Sequence, residues 1–140
     1  MEEAEILRRF QKHMGYTDAE MEIFLSDPER ARMVTQTPEF VKCRVVAEVV
    51  ESHGCHSQHR VGDRFIMTAG GQLIAEECPK RMCMFALGPV SRVLPAIYER
   101  LITKSDPDFE RSQIVQCTDI GLDKGGWGKI LMKVYVEKIR

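Results

Sequence analysis

Phe40-Val41-Lys42-Cys43-Arg44-Val45-Val46-Ala47-Glu48-Val49-Val50 decides the fold class. Val41, Cys43, Val45, Ala47 and Val49 alternate with Lys42, Arg44 and Glu48. A period of two sends one set of side chains into a core and the other toward water, as in a half-buried β-strand. Val46 and Val50 interrupt the polar set, so partial cover is expected on the second face too. Cys43 falls on the apolar face, where a small buried hydrophobe is the expected role.

Moving toward the C-terminus, Arg60-Val61-Gly62-Asp63-Arg64-Phe65-Ile66-Met67 reads as a turn leading into a short strand, because Gly-Asp is a tight-turn pair. Gly70-Gly71 predicts a hairpin, with Gln72 to Ala75 as the returning strand. Cys78-Pro79 is expected to open a helix, with Pro79 in the first helical position and Cys78 as the cap. Met82, Phe85 and Ala86, then Val90, Val93, Leu94, Ile97 and Leu101, form its apolar stripe to about Thr103. Gly88-Pro89 and Pro95 predict a bend, or two helices in tandem. Ser105-Asp106-Pro107-Asp108 reads as a polar loop and Gln113 to Cys117 as a strand. Gly121, Gly125, Gly126 and Gly128 surround Trp127, the only tryptophan, and Ile130 to Ile139 alternates as a closing strand.

Moving toward the N-terminus, Thr37-Pro38 separates this α+β body, residues 39–140, from a helical arm, residues 1–38. Ile6, Leu7, Phe10 and Met14 make a helical stripe that Gly15 is placed to end. Thr17-Asp18-Ala19-Glu20 is a capping box, and Asp27-Pro28 pairs a helix cap with a first-turn proline. Helices this short are marginal alone, so their stripes are expected to pack on the sheet or on a second copy of the chain. The expected architecture is α+β: a small, mainly antiparallel sheet or partial barrel covered by a bent helix, with the helical arm in front.

The whole chain sets limits on function. At 140 residues it fits one domain with a sizeable core. A net charge of -1 gives no field for nucleic acid or anionic lipid. No apolar run approaches the ~20 residues that span a bilayer, and the acidic start Met1-Glu2-Glu3-Ala4-Glu5 is no secretory signal. A cytoplasmic location follows as the expectation, and there five cysteines, an odd count, are expected to be thiols, core side chains or metal ligands.

Chemistry concentrates in His53-Gly54-Cys55-His56-Ser57-Gln58-His59, which holds three of the four histidines and one cysteine within seven residues. The candidate ligands are Cys55, His56, His59, Cys78 and Cys117, with His53 and Cys83 in reserve. Cys55 follows a strand, Cys78 is expected at a helix start and Cys117 ends a strand, so the three can converge at one end of a sheet. Thiolate and imidazole suit zinc, and thiolates suit an iron–sulfur cluster. No Cys-x-x-Cys pair is present. A second candidate is catalytic: Cys78 at a helix N-terminus would be acidified by the helix dipole, with His56 or His59 as its base. Asp63 and Asp119 are candidates to orient a histidine, although turn aspartates commonly cap their own backbone. Trp127 in its glycine loop is a candidate wall for a small-molecule ligand. The glycines match neither a P-loop nor a dinucleotide fingerprint.

From about Val45 onward the chain resembles a family of small uncharacterised proteins found mainly in anaerobic bacteria and archaea. The resemblance rests on Gly54-Cys55, Val61-Gly62-Asp63-Arg64-Phe65, Cys78-Pro79, Cys117-Thr118-Asp119 and the final alternating strand. It implies that Cys55, Cys78 and Cys117 are the family's cysteines, and it carries no activity. An anaerobic setting would fit thiolate or iron–sulfur chemistry by association alone. Three functions therefore stand as expectations: a cytosolic metal or cluster protein serving as an accessory or redox component, a Cys/His-dependent hydrolase or lyase, and a non-catalytic subunit that forms a homo-oligomer through its N-terminal helices.

Overall fold

The computed structural model describes residues 2–36, 38, 41–102 and 113–139. The expected features at Thr37, Phe40, Thr103 and Ser105 to Asp108 lie outside the described residues. The chain divides into two compact units, Met1–Val41 and Lys42–Arg140.

The first unit holds α1 (Glu3–Met14), α2 (Asp18–Leu25) and α3 (Pro28–Thr35). Their ends follow the local chemistry. Gly15 takes the left-handed conformation that closes α1, with φ of 72°. The Glu20 amide donates to the Thr17 hydroxyl at 3.1 Å and the Thr17 amide to the Glu20 carboxylate at 3.0 Å, completing the capping box of α2. Asp27 accepts from the Glu29 amide at 3.0 Å and caps α3. The helices also pack on one another, through a cluster of Phe10, Tyr16 and Phe24 with ring centroids 5.0 to 6.0 Å apart. The sequence had offered only the sheet or a second copy as partners for these stripes.

The second unit is a four-stranded antiparallel sheet of β1 (Cys43–His53), β2 (Arg64–Thr68), β3 (Gln113–Gln116) and β4 (Lys129–Lys138), in the order β2-β1-β4-β3. The sheet is open and does not close into a barrel. The alternation holds within β1 and β4: Cys43, Val45, Ala47 and Val49 are buried, as are Ile130, Met132 and Val134, whereas Val41, expected on the same face, lies ahead of β1 and is exposed. Val46 is fully buried on the second face, but Val50 is exposed. The cause is a bulge between Val49 and Glu51 that leaves Val50 without a partner on β4.

Two expected elements change. Gly70-Gly71 does turn the chain, but the returning strand shrinks to a single bridge between Met67 and Leu73. Ala75–Glu77 then forms a 3-10 turn. Alanine and glutamate are poor strand formers, and the Cys78 thiol takes the Ile66 amide that a longer partner strand would have used. The helix expected at Cys78-Pro79 starts later, as α4 (Met84–Ile102). Lys80 and Arg81 would have placed positive charge against the positive end of a helix beginning at Pro79. Pro89 and Pro95 do not split α4 into two helices. Ala86, Val90, Ile97 and Leu101 are its buried stripe. Pro89 has no N–H to give the Phe85 carbonyl, and the Thr118 amide donates to that carbonyl instead, at 3.0 Å. A rule-breaking proline thus becomes the point where the end of β3 docks on the start of α4. Among the described residues, no helix is long and apolar enough to cross a membrane.

Candidate functional site

The register of the sheet gathers the chemistry. Ser52 pairs with Ile130 and His53 with Lys129, so the end of β1 meets the start of β4. The loops beyond them touch so closely that a Cβ on Gly128 would run into the carbonyl oxygens of His53 and Gly54. The Cys117 amide continues the β3–β4 pairing by donating to the Ile130 carbonyl at 3.2 Å, and Thr118 ties this strand end to α4. Three strand ends and one helix start therefore meet around a cavity of about 370 Å³. Its lining includes Cys55, His56, Ser57, His59, Cys83, Phe85, Cys117 and Trp127.

Cys83 immediately precedes α4 and is its cap. Its carbonyl accepts from the Leu87 amide at 3.0 Å, the first helical hydrogen bond. Burial of its thiol raises the pKa and is the largest single influence. The Ser57 hydroxyl and the amides of Ala86 and Phe85 all donate to the sulfur and together outweigh burial, leaving the thiol below its ordinary range. The last two amides are the donors that an N-cap side chain normally satisfies, so the sulfur occupies a capping position.

His59 stands behind Cys83. It is only 3% exposed, and its ring meets Phe65 edge-on at 5.0 Å. Nε2 accepts from the Cys83 amide at 3.3 Å, and Nδ1 lies 3.7 Å from the Asp63 carboxylate. Burial drives the His59 pKa down, and the charge of Asp63 and its hydrogen bond only partly offset this. A neutral ring with its proton on Nδ1 fits both partners. Asp63 also accepts from the Arg60 amide at 3.0 Å, so it caps its own turn as well as facing the histidine. Asp119 does no such double duty. Its carboxylate accepts from the amides of Gly121, Trp127 and Gly128 at 3.0 to 3.2 Å. The Gly121 bond is the strongest cause of its lowered pKa. Asp119 thereby fixes the glycine loop and the Trp127 wall. His56 packs edge-on against Trp127, with centroids 4.7 Å apart.

Of the residues named from sequence, Cys55, His56, His59, Cys117 and Trp127 share this cavity, together with Asp119 and with Cys83, which the sequence held only in reserve. Cys78 does not. Its sulfur accepts from the Ile66 amide at 3.2 Å and donates to the Ile66 carbonyl at 3.3 Å, at the outer edge of β2. It follows the 3-10 turn Ala75–Glu77 as its C-cap and caps no helix N-terminus, so the helix start expected there is at Cys83 instead. His53 ends β1, exposed and outside the cavity. Among the described residues, no group of three or more His, Cys, Asp or Glu side chains is arranged to hold a metal ion. Ser57 was not singled out from sequence, since a loop serine carries no distinguishing signal. The charges of Lys80 and Arg81 were a readable sign that the helix starts later. No protein-family model, curated protein or solved structure matches the chain.

Proposed function

We propose that this is a thiol-dependent protein that acts on a small organic molecule held in the Cys55–Trp127 cavity, with Cys83 as the nucleophile. The supporting observation is Cys83 at the N-terminus of α4 inside the cavity, with its amide bonded to His59 Nε2 and its thiol held below the ordinary range by Ser57 and two backbone amides. A thiolate is the reactive form of cysteine, and such a setting is how proteins maintain one near neutral pH. His59, oriented by Asp63, supplies a neutral imidazole behind it. The cavity supplies apolar walls in Phe85, Ile130 and Trp127. Five free thiols accord with a reducing compartment such as the cytosol.

Limited iodoacetamide at pH 7 followed by peptide mapping tests this reading. Cys83 should be carboxamidomethylated first, at least about tenfold ahead of the other cysteines, and Cys83→Ser should remove the fast phase. Equal labelling of Cys55, Cys83 and Cys117 would sink the proposal.

A metal or cluster reading keeps one supporting observation, the gathering of Cys55, Cys117, His56 and His59 around one cavity. Zinc or an iron–sulfur cluster would have to draw these side chains together from their present arrangement. Anaerobic purification with metal analysis decides it: stoichiometric metal that is lost in Cys55→Ala supports this reading, and metal-free protein removes it.

A further inference from the structure

A nucleophilic Cys83 leaves two cavity thiols without a role. Cys55 and Cys117 line the same cavity, and neither is in a disulfide. A hydrolytic site needs one thiol. A second thiol near the first allows two-electron exchange, because it can displace whatever the first has captured.

Of the two, Cys117 is tied to the helix start by backbone. The Thr118 amide bonds the Phe85 carbonyl at 3.0 Å, so residues 117–118 dock on the first turn of the helix that Cys83 caps. The Cys117 sulfur accepts one hydrogen bond, from the Ile130 amide at 3.4 Å, which it gives up when it turns toward Cys83. For Cys55, by contrast, the described residues show no comparable backbone tie to the helix start. The mouth is apolar: Met84, Phe85 and Trp127 are 72%, 69% and 65% exposed. Such a rim suits an apolar or aromatic body more than a charged peptide.

Resting on the assignment of Cys83 as the nucleophile, we infer that the cavity is a thiol–disulfide exchange site for small organic disulfides, with Cys83 as the attacking thiolate and Cys117 as the resolving thiol. The Cys83 thiolate attacks one sulfur of R–S–S–R′, forming a Cys83–S–S–R bond and releasing R′S⁻. Cys117 gives its proton to water and attacks the Cys83 sulfur. A Cys83–Cys117 disulfide forms and RS⁻ leaves. The substrate disulfide gains two electrons and the two cysteines lose them. A thiol reductant reverses the exchange and resets the pair.

The test uses the full, reduced chain and one equivalent of 5,5′-dithiobis(2-nitrobenzoate), an aromatic disulfide whose released thiolate is coloured. The native chain should release two thionitrobenzoates per reagent and yield a monomeric Cys83–Cys117 disulfide on peptide mapping. Cys117→Ala, or Cys117→Ser if the alanine variant does not fold, should release one and keep the Cys83 adduct. Cys55→Ala should behave like the native chain. Release of a single equivalent by the native chain, with the adduct stable on Cys83, overturns the exchange role and leaves the nucleophile standing. A Cys83–Cys55 disulfide overturns the assignment of Cys117. Adducts spread over other cysteines overturn both the exchange and the nucleophile it rests on.

Discussion

Cys78 and Cys83 lie five residues apart, and the same side chain does different work in the two places. At Cys78 the thiol faces a strand edge. It accepts from the Ile66 amide and donates to the Ile66 carbonyl, extending the short pairing that Leu73 and Ile74 make along the same edge of β2. At Cys83 the donors from Ser57, Ala86 and Phe85 point toward the sulfur, and they favour the thiolate. On the proposed assignment, reactivity follows the direction of the local hydrogen bonds rather than nearness to Pro79. A helix start offers spare donors, whereas a strand edge offers a donor and an acceptor in alternation.

The sharpest way to break this comparison is to remove one donor. Ser57→Ala should slow alkylation of Cys83 at pH 7 by about three- to tenfold, the size of a hydrogen bond to a charged acceptor. The midpoint of its rate–pH profile should move to higher pH, with labelling of Cys78 unchanged. An unaltered Cys83 profile would mean that the helix amides alone hold the thiolate.

Stability should divide the two cysteines the other way. Cys78→Ala leaves the Ile66 amide at the β2 edge without its sulfur partner and should cost about 1 kcal/mol in urea unfolding. Cys83→Ser should cost nothing measurable or add a few tenths of a kcal/mol, because serine is a preferred helix cap. A destabilised Cys83→Ser together with a neutral Cys78→Ala would reverse the roles of the two cysteines.

The long strands and the caps of the N-terminal helices were legible because they depend on neighbours in sequence. The alternation from Cys43 to Val49, the Thr17–Glu20 box and the Asp27-Pro28 pair are short-range patterns, and each holds in the fold. The gathering of Cys55 and Cys117 could be anticipated because both follow strands. That they face one cavity was not readable, since it depends on the β1–β4 register and on Thr118 reaching Phe85. Cys78 misled because proline suits both a first helical turn and an irregular stretch before one, and the charges of Lys80-Arg81 argued against the helix. Ser57 had no local signature. The Phe10–Tyr16–Phe24 cluster was also hidden, because Phe10 and Tyr16 read as parts of separate segments.

His59 extends the comparison to pH, since it bonds the Cys83 amide and not that of Cys78. Its folded pKa lies below the unfolded value. As pH falls from about 6.5, the usual histidine value, the unfolded chain takes up a proton that the folded chain still refuses. Stability should therefore fall with pH from about 6.5 down to the lowered folded value, and then stop falling on this account. Urea unfolding at pH 7.5 and 5.5 measures the slope. His59→Gln, which keeps a polar side chain but no titration, should flatten it. A native slope that persists unchanged in His59→Gln would assign the effect to other groups.

The smallest expected effect concerns Pro89, which acts on the Cys83 side alone. Proline here frees the Phe85 carbonyl for Thr118. Pro89→Ala restores an N–H that competes for the same carbonyl from within the helix, with the geometric advantage of the i to i−4 position. The helix itself should gain, because alanine propagates it better than proline. The strand end should loosen. Hydrogen exchange at the Thr118 amide should therefore quicken by up to about tenfold, a loss of roughly 1.4 kcal/mol in local protection, and Cys117 should become easier to alkylate. Exchange at Ile66, on the Cys78 side, should not change. If Thr118 keeps its protection, the carbonyl shares its two lone pairs between both amides, and the docking of β3 does not depend on the proline. If Thr118 loosens while the global unfolding midpoint rises, then Pro89 trades helix stability for the placement of Cys117 beside Cys83.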